Sequence, residues 1–332
     1  MNLEEFIYGS FVSPLITNPN ITDISYNGDK IFYEDRTEGR KCSDIVISNL
    51  DASNFIRQIA NLTEKQFSFS SPILDVSFGK YRINAVHPSV SRYNQNKAIS
   101  FSIRIASFEN MIEKDKNFLP MDFLPFIKEA LLEKKSIIIG GKTGTGKTEL
   151  QKFLLSNLIN NEKVILIDQI DEIGYSAFNE KIDITHWVCN GLETTKIPVL
   201  ISNALRCNPD WIVVSEARGS EMGNVLLSCM SGHPIITTIH AKECNQMIPR
   251  VIRMINSTDK SSTYQELEDD IYNHFDYFIY VSKTKDQNNK IKRFISSIGK
   301  SEPTKKEMKI IYKKSFINDL ALETRILRKE GK

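Results

Sequence analysis

What this chain lacks narrows its function first. No apolar run approaches the roughly 18 residues that a membrane-spanning helix needs, so no integral membrane segment is expected. None of the five cysteines (Cys42, Cys189, Cys207, Cys229 and Cys244) forms a C-x-x-C pair, so the usual spacing for a zinc site or disulfide framework is missing. Reduced, buried thiols in a cytoplasmic protein fit that pattern. The opening MNLEEFIYGS is acidic and carries no basic segment before an apolar one, which makes it a poor export signal. Internal repeats and low-complexity tracts are also missing.

What is present suits a folded protein of two domains: 332 residues, 41% hydrophobic and 25% charged. The net charge of +2 conceals an asymmetry. Lys283 to Lys332 hold 15 Lys+Arg against 6 Asp+Glu, a net +9, and the rest holds 28 against 35, a net −7. A basic tail of this kind suits either a solvated surface or an acidic partner.

Residues 21–104 read mostly as short strands. ITDISYNGDKIFYED alternates about Asn27-Gly28, a strong hairpin signal. PILDVSFGKYRINAVHPSV and AISFSIRIA alternate likewise, the first about Gly79, while DASNFIRQIANLTEK has helical spacing with Asp51 as its expected cap. The polar stretch SFENMIEKDKNFLPM predicts a linker over residues 106–121. Residues 1–105 are therefore expected to form a smaller α+β domain, and 122–332 an α/β domain with a C-terminal hairpin and basic tail.

In that second part DFLPFIKEALLEKK reads as a helix, SIIIGG as a buried strand and GKTELQKFLLSNLI as a helix. KVILID and WIVVSEA are strands too apolar to be half-exposed, so a mainly parallel sheet covered on both faces is expected. FDYFIYVSKT and IKRFISSIG, flanking KDQNNK, read as a peripheral hairpin.

Between SIIIGG and its helix lies GGKTGTGKTE. Gly141, four residues, then Gly146-Lys147-Thr148 is the spacing of a phosphate-binding loop. Glycines such as Gly141, Gly144 and Gly146 let backbone N–H groups turn inward, at a helix N-terminus that favours anions. Gly141, Lys142, Thr143, Gly144, Thr145, Gly146, Lys147, Thr148 and Glu149 are the candidate phosphate-binding residues. Lys147 is expected on the β/γ-phosphates and Thr148 on Mg²⁺.

An acidic partner is expected at the C-terminal end of a neighbouring strand, where open α/β sheets bind ligands. Glu216, after WIVVS, fits that place and is the second candidate ligand for magnesium. Asp168, Asp171 and Glu172 close another buried strand, as part of a site or as a solvated loop. In SGHPIITTIHAK, His233 and His240 flank a buried strand too far apart for a helical metal pair; the Thr-Thr and the His at the strand's end suggest a γ-phosphate sensor, with a satisfied core histidine as the alternative.

Taken in order, these segments resemble the secretion ATPase superfamily of type II secretion, type IV pili and type IV secretion. The resemblance rests on a phosphate loop at 141–148, an Asp box around 164–173, a Walker B strand at 211–218 and a His box at 231–241. SGHPIITTIHA is its most specific part. VVSEAR resembles the family's Gly-Glu-x-Arg with Ser215 in place of glycine, and ITDISYNG, SFGKYRINAVHP and ISFSIRI resemble its N-terminal strands. The likeness runs from about residue 12 to 282 and is nearest to the ring ATPases of conjugation-type secretion and tight-adherence pili.

The resemblance implies a RecA-like C-terminal domain, ATP and Mg²⁺ as ligands, and a homo-oligomer, a hexamer in this family. It further implies a place at the inner face of the cell membrane, beside inner-membrane secretion or pilus assembly proteins, with nucleic acid only as cargo. It makes Glu216 the residue that polarises the attacking water and places Asp168, Glu172, His233 and His240 on family positions. Arg82 and Arg104 resemble N-domain arginines that contact phosphate, while Arg218 either does the same or pairs with a nearby acid. One departure stands out: where the family has Glu-Asp-Pro, this chain has Asp168-Gln169-Ile170, and Gln169 cannot ionise. A RecA-like nucleic-acid motor and a nucleotide-gated scaffold with little turnover remain the alternatives.

Overall fold

The computed structural model describes residues 2–106, 112, 115, 117–169, 171, 173, 181–189, 192–257, 261–317 and 320–323, with side chains as far as 315. It divides into two compact units: Met1–Ser107 with Asn288–Ile291, and Phe108–Gln287 with Lys292–Lys332.

The first unit begins with α1 (Leu3–Tyr8) and α2 (Ser13–Ile16), followed by β1 (Ile21–Tyr26), β2 (Ile31–Asp35) and β3 (Gly39–Cys42). Gly28 turns the β1–β2 connection with φ +102, a value L side chains rarely adopt. α3 (Asn49–Leu62) then precedes β4 (Ile73–Phe78), β5 (Tyr81–Val86), the two-residue pair β6 (Arg92–Tyr93) and β7 (Asn96–Lys97), and β8 (Ser100–Ile105). α3 starts one turn earlier than expected. Its cap is Ser48, which accepts from Asp51 N, while the Asp51 carboxylate accepts from Ser48 N. A reciprocal capping box satisfies both ends of that exchange, so Asp51 sits three residues inside the cap.

The six-stranded sheet has the order β3-β2-β1-β8-β5-β4. Alternation sends Ile24, Leu74, Ile83, Ala85 and Ile103 to one face, where they pack on Phe55, Ile56 and Ile59 of α3. The opposite face is polar. There Arg104 stands directly across from Asp23 on β1 and from Arg82 on β5.

The second unit runs α4 (Phe123–Leu132), β9 (Ile137–Gly141), α5 (Lys147–Ser156), β10 (Lys163–Asp168), β11 (Asp183–Val188), α6 (Ile197–Ala204) and β12 (Trp211–Val214). It continues with α7 (Glu221–Met230), β13 (Ile235–His240), α8 (Met247–Ile255), α9 (Tyr264–His274), β14 (Tyr277–Lys285), β15 (Ile291–Glu302), β16 (Glu307–Ile317) and β17 (Leu320–Glu323). Among the described residues its sheet has the order β11-β10-β12-β13-β9-β14-β15-β16-β17. The pairings from β11 through β14 are parallel.

Ile137, Ile138 and Ile139 are wholly buried because both faces of β9 are covered. Ile137 and Ile139 pack with Phe123, Leu150 and Leu154 of α4 and α5. Ile138 packs with Val225, Ile248 and Ile271 on the helices of the other face. Mixed α/β architecture with a mainly parallel C-terminal sheet and a separate antiparallel N-terminal sheet is what the sequence predicted.

Two readings change. The expected hairpin is present as the neighbouring strands β14 and β15, but it is not peripheral, because β14 also pairs in parallel with the phosphate-loop strand β9. The reason is burial: Phe278, Ile279 and Val281 are fully apolar and inaccessible, which suits an inner strand. The expected basic tail forms sheet strands β16 and β17, β16 pairing with both β15 and β17. Most of the expected linker lies outside the described residues; of the rest, Ile112 and Phe118 are buried in the second unit's core.

Candidate functional site

β9 ends at Gly141 and α5 begins at Lys147, so the intervening loop lies at the C-terminal edge of the parallel strands. Two glycines are required there. Gly146, the residue before α5, has φ +100, and a Cβ on it would meet Phe118 at 2.9 Å. A Cβ on Gly141 would meet Thr145 Oγ1 at 2.6 Å and the Val281 carbonyl at 2.7 Å. Thr145 Oγ1 donates to Lys142 O at 2.9 Å and closes the turn. Such a loop at a helix N-terminus is a cradle for phosphate.

Lys147 is only 8% exposed. Its Nζ lies 3.2 Å from His240 Nδ1 and donates to Lys142 O at 3.4 Å. His240 is brought there by register, since His240 on β13 pairs with Gly141 on β9. On its other side, His240 Nε2 comes within 2.7 Å of Glu216 Oε1, an oxygen that is buried and has no aligned hydrogen bond. Glu216 Oε2 accepts from Arg218 Nε at 2.9 Å, with Arg218 Nη2 at 2.8 Å. Lys147, His240, Glu216 and Arg218 thus form one chain of polar contacts beside the loop.

His240 is held below the usual histidine range, first by burial and then by the charge of Lys147, with Glu216 opposing both. The neutral imidazole is therefore the form the folded chain favours. Its contribution is present above the ordinary value near 6.5 and is lost as pH falls through the lowered one. Nδ1 lies between two groups of opposite demand, the Lys147 ammonium at 3.2 Å, which can only donate, and the Gly141 carbonyl at 3.3 Å, which can only accept. In an NMR titration, Lys147→Gln should raise the His240 midpoint and Glu216→Gln should lower it. Shifts in the same direction would contradict this geometry.

The remaining acids and histidines are placed elsewhere. Asp168 is buried at the end of β10, where Oδ2 accepts from Ile173 N at 3.1 Å and lies 3.8 Å from His186 Nε2. β10 is three strand positions from β9, roughly 14 Å at about 4.8 Å per strand. Asp168 is thus engaged by its own loop, while β10 directly neighbours β12, the strand that Glu216 follows. Asp171 has φ +54 and brings Oδ1 within 3.8 Å of His186 Nδ1. Glu172 and Ile170 lie outside the described residues.

His233 precedes β13 and contacts Ser231 Oγ at 3.3 Å. A six-residue strand separates it from the loop end, on the order of 20 Å at about 3.3 Å per residue. Within this chain it stands at the opposite end of β13 from His240. Glu149 pairs with the buried Lys152 at 3.4 Å. In the first unit, Arg82 pairs with Asp75 at 3.3 Å and Arg104 with Asp23 at 3.1 Å.

Sequence reasoning missed three supports. Glu221 Oε1 accepts from Arg218 N at 2.6 Å and Gly219 N at 3.0 Å, fixing the turn after Glu216; an acid at the start of α7 was the available signal. Tyr280 OH donates to the Ala241 carbonyl at 3.2 Å and to that of Lys242, pinning the chain just after His240. Gln151 is the third. Ser215, which stands where the resembled family has glycine, accepts from Gln169 N at 3.3 Å, while its carbonyl accepts from Thr238 Oγ1 at 2.8 Å. The two departures from the family pattern are thus joined through one hydroxyl.

The donor set also fits a hard cation. Glu216 Oε1 is a buried carboxylate oxygen with no aligned hydrogen bond among the described residues, and Thr148 offers a hydroxyl in the first turn of α5.

Fold and loop together define a phosphate-loop protein of the α/β class. The family model described as "Type II/IV secretion system protein" matches residues 100–268, just over half of the chain, and the chain belongs to that family. An uncharacterised protein of Bacillus anthracis is 32% identical over 293 residues, covering 85% of this chain and 64% of its own length. The type IV secretion system protein VirB11 of Bartonella quintana is 33% identical over 152 residues, 46% of this chain and 40% of that protein. The chain therefore spans less than two thirds of the length of either relative. Among solved structures, the Legionella pneumophila ATPase DotB superposes with a TM-score of 0.65 at 20% identity, over 86% of this chain and 79% of that one. That likeness is one of fold.

Proposed function

We propose that this chain hydrolyses ATP with magnesium and serves as a subunit of a ring motor, a hexamer, that powers secretion or pilus assembly. The observation that carries the reading is the contact chain Lys147–His240–Glu216–Arg218 beside a glycine-shaped phosphate loop. Lys147 leaves His240 and Lys142 O for the β/γ-phosphates, so the ammonium exchanges a weak contact for a charge-assisted one. Glu216 orients the attacking water, and its partner Arg218 keeps the carboxylate aimed. His240, neutral and next to both, senses whether the γ-phosphate is present. Thr148 and Glu216 hold the magnesium ion, which when bound offsets the negative charge of the phosphates.

The first unit takes part through Arg82 and Arg104. Each is paired with a carboxylate that is about half exposed, a contact of small net worth and readily exchanged for a triphosphate. Their closing on ATP and release after hydrolysis convert a local change of charge into motion of the unit. The ring works at the inner face of the membrane beside secretion or pilus proteins. That part rests on the family and on VirB11 of Bartonella, a named type IV secretion protein.

The test is release of inorganic phosphate from ATP by the purified chain. Turnover that needs magnesium and stops with a chelator is expected, with Arg82→Ala and Arg104→Ala each lowering it roughly tenfold or more. Absence of turnover under ring-forming conditions would defeat the motor. A second reading, a nucleotide-gated scaffold with slow turnover, draws on Asp168 being committed to Ile173 N. Equal slow hydrolysis by wild type and Glu216→Gln would favour it.

A further inference from the structure

We infer that Gln151 is the positioning residue that locks the phosphate-loop helix to the two strands whose ends carry Glu216 and His240. Its kinetic consequence rests on the ATPase reading; its structural consequence does not.

Gln151 lies one helical turn after Lys147 on α5 and is completely buried. Its Nε2 donates to Val214 O at 2.9 Å and reaches Ile236 O at 3.4 Å. Val214 is the last residue of β12, two before Glu216, and Ile236 is on β13, four before His240. One amide thus touches the backbone of both strands that hold the reacting groups. Two carbonyls converge on the same atom, so it is the nitrogen; an oxygen there would meet two acceptors and no donor.

The other end of the amide gives the clearest sign of purpose. Gln151 Oε1 is buried and has no hydrogen-bond partner among the described residues. A helix packed on a sheet through Leu150, Phe153 and Leu154 would be held as well by a methionine or leucine at 151, and an apolar residue would leave no orphaned oxygen. The amide costs stability and yields a fixed register between α5 and the ends of β12 and β13.

That register matters because the reacting groups come from separate elements. Lys147 is carried by α5, Glu216 follows β12 and His240 ends β13. Covalent continuity does not align them over so many intervening residues. Hydrophobic packing tolerates small slides of a helix along a sheet, whereas a hydrogen bond at 2.9 Å does not.

The test uses the full chain with Gln151→Met, which keeps the length and volume of the side chain and removes the donor. Expected are a thermal midpoint equal to or above wild type, a KM for Mg-ATP within about threefold, and a kcat lower by roughly 10- to 100-fold, the scale of a misaligned reacting pair. The His240 ring resonances of the nucleotide-free protein should also move. A residue that only fills space would move neither kcat nor those resonances. Unchanged kcat with unchanged His240 resonances overturns the inference, and so does a rise in KM at constant kcat. Where the methionine variant does not fold, Gln151→Leu is read in the same way. If wild type shows no turnover, the ATPase reading fails, and the His240 resonances alone decide whether Gln151 positions the strand ends.

Discussion

Replacing Lys147 with alanine should lower ATP turnover by roughly 10²- to 10³-fold, the scale for loss of one preorganised donor to developing charge, and should weaken nucleotide binding as well. The side chain is 8% exposed, so its ammonium has already given up most of its water. Here it meets the His240 imidazole at 3.2 Å and a carbonyl at 3.4 Å. A triphosphate offers it full negative charges instead, and a hydrogen bond to a charged acceptor is roughly twice as strong as one to a neutral group. The variant should remain folded, because the core of this unit is built by Leu150, Leu154 and the strands they cover rather than by the lysine. A circular dichroism spectrum and thermal midpoint near wild type separate loss of function from loss of fold. Full retention of both binding and hydrolysis would remove the loop from the account.

Glu216→Gln should behave differently, with nucleotide affinity kept within a few-fold and turnover reduced by roughly 10²- to 10⁴-fold, the range for removing a general base. Glutamine has the same shape and can still accept from Arg218 through its carbonyl oxygen, so the turn built by Glu221 stays in place. What disappears is the negative charge opposite His240 and the basic oxygen Oε1. Equilibrium binding of labelled ATP beside single-turnover phosphate release reads the two quantities separately. A variant that loses affinity and rate in equal measure would make Glu216 a ligand holder and not the group that activates water.

Much of the site was visible in the residues because its signals are local. Gly141, Gly146, Lys147 and Thr148 lie within eight positions, and the apolar runs around Ile137–Ile139 and Trp211–Val214 reveal buried parallel strands without reference to anything distant. The placement of His240 follows from the same logic, since a strand parallel to β9 must deliver its last residue to the loop. The same logic puts His233, which stands before the strand, at its far end.

Other features depend on contacts across long stretches of sequence. Asp168 and Glu216 look alike in sequence, each an acid after an apolar strand. They differ because Asp168 is turned into its own loop by Ile173 N while Glu216 meets His240. Arg218 had two open roles, and its pairing with Glu216 two residues earlier shows the nearer one. Gln151 reads as an ordinary polar residue of a helix, and only the carbonyls of Val214 and Ile236 reveal what it does. The integration of β14 beside β9 joins residues more than a hundred positions apart, a distance at which periodicity carries no information.

The account stands on a triphosphate seated at Lys147 and faced by Glu216. A structure of the chain with magnesium and a non-hydrolysable ATP analogue measures this directly. The account predicts Lys147 Nζ off His240 and within about 2.7–3.2 Å of a β- or γ-phosphate oxygen, with Glu216 Oε1 turned to the γ-phosphate side. An analogue bound elsewhere, or a loop that stays empty at saturating analogue with Lys147 still on His240, would contradict it.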